Sequence, residues 1–395
     1  MDLNKQITRF AIFLLFVYSG GFETVCAVGS TLYKDSYLPK YAEGFSQQGI
    51  HTENNKEIET LNKALFSDLL KEDLDDSELV SKKILGIILA KKINDSQLSE
   101  SYYLLGVYYL KLKNYTSSEH YMMQSISLKE KNNEIDVRYA RALYNISLAY
   151  FSLGDLNKFE VYASKSVAVG KKVFGDFSAD IFLPYYSLAT AYIELNEFEK
   201  VIANSDTAIS ISNNHPDEVK ISDLAGVYHN LAVSYGRLAN YSKAKIYYNK
   251  AESLYDKSGS TQDDNYLNLM NGLASTCSSL GLAEEAEKYY QKGISRALHS
   301  NSVYAFNIIN NYSIYLAKTK KIAKGQKLIE DALDRAKSLY DKNPRDYFEV
   351  LCYYANYLRD NKIDINRSFI CYNQCLSYIQ THGEDINLKY IVYNI

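Results

Sequence analysis

The stretch NLAVSYGRLANYSKAKIYYNKA, Asn230 to Ala251, reads as two helices joined by a turn. Leu231, Ala232 and Tyr235 fall at the spacing of one helix face. LANY, Leu238 to Tyr241, is the turn, and a second helix then places the small Ala251 three positions after Tyr248. Working outward in both directions, the same register returns. Small residues stand at Gly106, Ser147, Ala189, Ala232, Ala274, Ser313 and Ala355, in steps of 41, 42, 43, 42, 39 and 42 residues. The residue before each is apolar or aromatic: Leu105, Ile146, Leu188, Leu231, Leu273, Tyr312 and Tyr354. Three after each stand Tyr109, Tyr150, Tyr192, Tyr235, Cys277, Leu316 and Leu358. Turns follow at LKNY, LGDL, LNEF, LANY and LGLA, with Gly154 and Gly281 as helix stops. The second helices carry small residues at Ala208, Ala251, Gly293 and Ala332.

The period has a physical cause. Two antiparallel helices approach closely only where both present small side chains. Large aromatics then fill the gap to the next pair, and 38 Tyr in the chain find their use there. Each pair leaves an apolar face uncovered, so pairs must stack. With only 4 Pro in 395 residues the chain can be helical almost throughout, since a Pro inside a helix costs about 3 kcal/mol. The expectation is an all-α fold, a right-handed α-solenoid of stacked antiparallel helix pairs.

These residues resemble the tetratricopeptide repeat, TPR: an aromatic or Asn, then Leu-Gly/Ala, then Tyr, followed by Ala, an aromatic and Ala in the second helix. Asn230 to Ala251 fits nearly every position, and GLASTCSSLGLAEEAEKYYQKG fits well. Around Ser313 the pattern weakens, with Gly325 and Ile329 in place of Ala and an aromatic, and NKIDINRSF after Ala355 carries an insertion. The usual repeat is about 34 residues. The longer period here, and NNHPDEV (Asn213–Val219), resemble the kinesin-light-chain type. The resemblance covers Leu98 to His382 and implies seven repeats.

The ends differ. Lys5 and Arg9, the apolar run from Phe10 to Tyr18, and Val25 and Ala27 suit a secretory signal cut after Ala27. A lipid-attached Cys26 is the alternative. Val28–Lys56 reads as a flexible leader, and residues 57–97 as an atypical helix pair with DLDDSE (Asp73–Glu78) as its turn and cap. At the other end, the next small residue falls near position 397 if the period of about 42 continues. Residues 383–395 therefore read as the start of an incomplete repeat. Lys389 to Tyr393 would leave an apolar face for a partner or a second copy of the chain, unless the protein continues further.

Several chemistries are excluded or unsupported. With 44 Lys+Arg against 47 Asp+Glu there is no basic footprint for nucleic acid. No metalloprotease, nucleophile-elbow or P-loop motif occurs. The six His are scattered, and Asp256–Asp264 lacks the Gly and the closing Glu of a calcium loop. No metal or other cofactor is expected. Cys277, Cys352, Cys371 and Cys375 match no disulfide framework; Cys371 and Cys375 share a helix face, and all four read as buried thiols.

Function then falls to the first helices. In repeats of the kinesin-light-chain type, the resemblance implies, an Asn two before the small residue holds the backbone of an extended peptide. Asn145, Asn230 and Asn311 occupy that place, while Ser187, Gly272, Leu104 and Tyr353 interrupt the row. Tyr186, Thr190, His229, Arg237, Asn271, Ser275, Asn310 and Lys318 would complete a polar and aromatic groove. An Asn amide both donates and accepts, so it can pair with any peptide backbone. The sequence thus points to an exported, periplasmic or secreted, non-enzymatic repeat protein that binds a protein or peptide. The alternative is a TPR sensor segment of a larger effector of the caspase-like protease or histidine kinase type. An intracellular peptide-pheromone receptor would want a DNA-binding module where Met1–Lys56 offers an export signal.

Overall fold

A computed structural model describes residues 53–90, 93–259, 264–297 and 303–382. The expected signal, its cut after Ala27, nearly all of the leader and the expected incomplete repeat lie outside the described residues. Every regular element among the described residues is helical. The helices come in pairs: α1 (Glu53–Lys71) with α2 (Leu74–Ala90), α3 (Asp95–Lys111) with α4 (Tyr115–Lys131), α5 (Val137–Ser152) with α6 (Leu156–Phe174), and α7 (Phe182–Glu194) with α8 (Phe198–Asn214). They continue as α9 (Ile221–Arg237) with α10 (Tyr241–Ser258), α11 (Asp264–Ser279) with α12 (Ala283–Ala297), α13 (Val303–Lys318) with α14 (Ile322–Ser338), and α15 (Pro344–Asp360) with α16 (Ile365–His382). The chain is an α-solenoid in two compact units. The N-terminal unit runs to Asn230 and the C-terminal unit starts at Leu231, so α9 runs through the division.

One turn closes every pair. Seven residues after each small residue the backbone is left-handed, at Lys113, Gly154, Asn196, Ala239, Gly281, Lys320 and Lys362, with φ from 54° to 79°. The next N–H then bonds back five residues to the carbonyl of Tyr109, Tyr150, Tyr192, Tyr235, Cys277, Leu316 or Leu358, at 2.7 to 2.9 Å. This is the Schellman arrangement, which satisfies carbonyls a helix end would otherwise leave bare. The first pair, which lacks the sequence signature, uses it too: Glu72 has φ 59° and the Asp73 N–H reaches the Asp68 carbonyl at 3.0 Å. DLDDSE is therefore mostly helix; only Asp73 is a cap, its carboxylate accepting from the Asp76 N–H at 3.0 Å. Asn114, Asp155 and Asn240 cap the second helices that follow, each accepting from the N–H three residues on.

Small residues do what the period requires. A Cβ on Gly106 would lie 2.8 Å from the Met122 side chain, and Ser118 donates to the Gly106 carbonyl at 2.8 Å. Ser368 donates to the Ala355 carbonyl at the same distance, but across 13 residues instead of 12. That single extra residue is the insertion after Ala355. Gly325 departs from the expected Ala because a Cβ there would stand 2.7 Å from the Ser313 carbonyl oxygen. The aromatics behave alike from repeat to repeat. Tyr109 stacks on Tyr121 at 5.4 Å, Tyr150 on Tyr162 at 5.3 Å and Tyr235 on Tyr247 at 5.4 Å. Lys158 and Lys243 sit over the Tyr150 and Tyr235 rings.

Candidate functional site

Each unit presents a wall built from its first helices. Three elements of the N-terminal unit, α5, α7 and the start of α9, carry Asn145, Tyr186, Thr190, His229 and Asn230. The end of α9 with α11 and α13 of the C-terminal unit carries Arg237, Asn271, Ser275, Asn310, Asn311 and Lys318. The eleven residues named from the sequence are thus divided between two walls, Ser275 on α11 being buried with its hydroxyl 3.2 Å from the Tyr290 hydroxyl.

The position two before the small residue proves to be a link between successive first helices. Ser187 meets the Tyr144 hydroxyl at 3.0 Å. The Asn230 amide donates to the Thr190 hydroxyl at 2.9 Å, and the Asn311 amide to the Asn271 carbonyl oxygen at 2.9 Å. Tyr353 lies 2.7 Å from the Asn307 side chain. The row that looked interrupted at Ser187 and Tyr353 keeps the same role with other chemistry. Leu104, buried in the apolar core, and Gly272 are exceptions, Gly272 for a steric reason: a Cβ there would collide with the buried Tyr248 hydroxyl, as one at Gly226 would collide with Tyr186. Asn145 is buried on the same face.

In the N-terminal wall these groups are buried. Tyr186, Thr190, His229 and Asn230 are all under a tenth exposed, and Thr190 also donates to the Tyr186 carbonyl at 3.0 Å. Burial brings the His229 pKa down to about 4, so its imidazole is neutral near pH 7. One and a half turns earlier, Asp223 is pushed up to about 6 by burial, partly offset by Lys220.

The C-terminal wall keeps unspent capacity. Asn271 and Asn310 are buried and Asn311 is half-buried. Lys318 is open to water yet has its pKa lowered by desolvation, as happens where surrounding protein crowds a side chain without covering it. Arg237 is half-buried, and its charge faces the Tyr248 hydroxyl, whose pKa burial raises. Asn307 and Glu349 belong here and were missed. Asn307 stands one turn before Asn311 on the same face, a signal the sequence did carry. The Tyr353 hydroxyl touches both Asn307 and the Glu349 carboxylate. A phenol has one proton and a carboxylate only accepts, so the proton goes to Glu349. The Tyr353 oxygen must then accept from the Asn307 amide N–H. That orientation satisfies the amide nitrogen, otherwise buried without a partner.

Three segments match the tetratricopeptide repeat family, residues 99–132, 140–180 and 223–298. The chain carries tetratricopeptide repeats. The TPR stack is similar in structure to the apo quorum sensor NprR from B. thuringiensis, with TM-score 0.68 and 17% identity over 94% of this chain and 98% of that one. It is similar to apo RapI, with TM-score 0.54 and 14% identity over 72% of this chain and 99% of that one. It also matches NprR in complex with its cognate peptide NprX, with TM-score 0.51 and 16% identity over 91% of this chain and 99% of that one. Identities this low establish a shared TPR fold and nothing more. No curated protein matches the sequence. Among the described residues no helix is long and apolar enough to cross a membrane, and no three His, Cys, Asp or Glu gather to hold a metal.

Proposed function

We propose that this TPR chain binds an extended peptide, non-catalytically, and that the C-terminal wall is where it does so. The observation that carries the reading is the contrast in hydrogen-bonding capacity. Asn230 is buried with its amide donating to Thr190, whereas along α13 Lys318 is exposed and Asn310 shows no side-chain hydrogen bond among the described residues. Extended peptides offer alternating N–H and C=O groups, and an Asn amide answers both. Lys318 adds a cation for a ligand carboxylate. Glu349, already holding the Tyr353 proton, disfavours a second carboxylate at the α15 end.

The fold neighbours support a peptide ligand, since NprR has been captured with a cognate peptide. They also return to consideration the peptide-sensing class that the leader argued against. Export with a cut after Ala27, and self-association through residues 383–395, remain parts of the proposal that rest on sequence alone.

The test is an array of short unstructured peptides probed with the full chain and with the Asn310→Ala/Lys318→Ala variant. Expected is a set of peptides bound by wild type and lost by the variant, with the melting temperature unchanged. Retention of binding by the variant, or an array with no binder, would overturn the assignment. Asn230→Ala and Asn311→Ala make poor probes, because both amides also link successive repeats.

A further inference from the structure

We propose that Cys352 and Cys375 are a disulfide pair that clips α15 to α16. Spacing alone gave no pairing, because the two residues lie on different helices and only the hairpin brings them together. Both side chains are fully buried, and their sulfurs stand 3.0 Å apart. An S–S bond is about 2.05 Å long, so closure needs about 1 Å of movement. The bond would close a loop of 23 residues and tie the two helices of one repeat at mid-length. Cys375 is held toward its partner from behind, its sulfur also approaching the Phe348 carbonyl at 3.5 Å. Cys371 and Cys277 are buried as well and make no such approach to another sulfur. They act as internal controls within the same unit.

The chemistry sets when the bond forms. Mutual contact and burial raise the Cys352 pKa well above that of an ordinary thiol, and the thiolate is the nucleophile. In the closed hairpin the pair is therefore unreactive, so exchange happens while α15 and α16 are still docking. One cysteine thiolate attacks a sulfur of a small-molecule or protein disulfide, of the oxidised-glutathione class, and expels one thiolate. The second cysteine then attacks the mixed disulfide and expels the other. One S–S bond breaks and one forms, and the two cysteine protons and two electrons leave with the two released thiols. Once made, the bond is sealed from reductant by the same burial. It also fixes α15, the helix that carries Tyr353 and Glu349. The inference does not depend on peptide binding.

The test uses the full chain, refolded once with oxidised and reduced glutathione and once with excess dithiothreitol. Free thiols are alkylated in denaturant, and peptides are mapped by mass. Expected from the glutathione sample is one cross-linked peptide joining Cys352 to Cys375, two hydrogens lighter than the reduced pair, with Cys277 and Cys371 alkylated. The oxidised chain should unfold at higher urea than the reduced chain, and Cys371→Ser should retain both the cross-link and the shift. Alkylation of Cys352 and Cys375 after oxidative refolding would overturn the proposal, and so would a cross-link that uses Cys371. Because the decisive reading comes from the unmutated chain, no variant has to fold for the test to stand.

Discussion

The two units solve one packing problem and end with different surfaces. In both, a residue two before the small position ties a first helix to the one before it, at Ser187, Asn230, Asn311 and Tyr353. In the N-terminal unit the ties involve hydroxyls and lie in a buried face: Tyr144 with Ser187, Thr190 with Asn230. In the C-terminal unit one tie joins two amides, Asn271 with Asn311, and another an amide and a phenol, Asn307 with Tyr353, and Asn311 is half-buried. Repeats can therefore differ in function without differing in architecture. The units differ in how far the linking face is covered: Asn230 and Thr190 are buried, whereas Asn311 is half-buried and Lys318 on the same helix is exposed.

The sharpest way to break this comparison is steric. Gly325→Ala in the C-terminal unit should cost about 3 kcal/mol, because the added Cβ meets the Ser313 backbone carbonyl as well as the Tyr357 hydroxyl, and the backbone cannot swing aside. Gly226→Ala and Gly272→Ala, one in each unit, should cost about 1–3 kcal/mol each. Tyr186→Phe and Tyr248→Phe, which remove the obstructing hydroxyls, should restore part of that loss. Urea denaturation measures all of these. Equal, unrescued losses at Gly226 and Gly272 would show that the tyrosines are not what reserves those glycines.

The second contrast is in pH. Asp223 and His229 lie on the N-terminal stretch of α9. Folding raises Asp223 from 3.8 to about 6, so its contribution to stability falls as pH rises through that window. Folding lowers His229 from 6.5 to about 4, so its contribution rises with pH across that range. The slopes oppose each other, and the wild-type urea midpoint should change little from these groups between pH 4 and 6. Asp223→Asn leaves the His229 term alone, and stability should climb by up to about 3 kcal/mol from pH 4 to 6.5. A flat profile in that variant would contradict the burial of His229.

Smaller effects separate linking amides from available ones. Asn230→Ala should cost about 1–2 kcal/mol, since it strips a buried hydrogen bond. Lys318→Ala should leave the melting temperature within error. Smallest of all, Ala239→Gly and Lys320→Gly should each gain about 0.5–1 kcal/mol by relieving a left-handed backbone. Asn196→Gly in the N-terminal unit should gain less, because Asn tolerates that conformation.

Those last positions show how much the sequence disclosed. The small-residue register from Gly106 to Ala355 was legible because helix approach admits few alternatives, and it anticipated the stacking of pairs and the insertion before Ser368. The common turn was only half legible. Gly154 and Gly281 announced it and Asn196 is compatible with it, but Glu72, Lys113, Ala239, Lys320 and Lys362 adopt the same conformation with side chains that carry no such signal. Of the candidate site, the face was legible and the partners were not. Asn230 and Asn311 stood out by resemblance, yet their amides also hold the preceding repeat, a contact about 40 residues away in sequence. Asn307 was readable one turn before Asn311 and was missed. The approach of Cys352 to Cys375 depends on the rotation of α16, which spacing within one helix cannot give.

The central claim is that ligand binding belongs to the C-terminal wall while the N-terminal wall is structural. Amide hydrogen exchange of the full chain, with and without a peptide selected from the array, tests it most directly. The account predicts added protection concentrated in α11, α13 and α15. Protection confined to α3, α5 and α7 would contradict it.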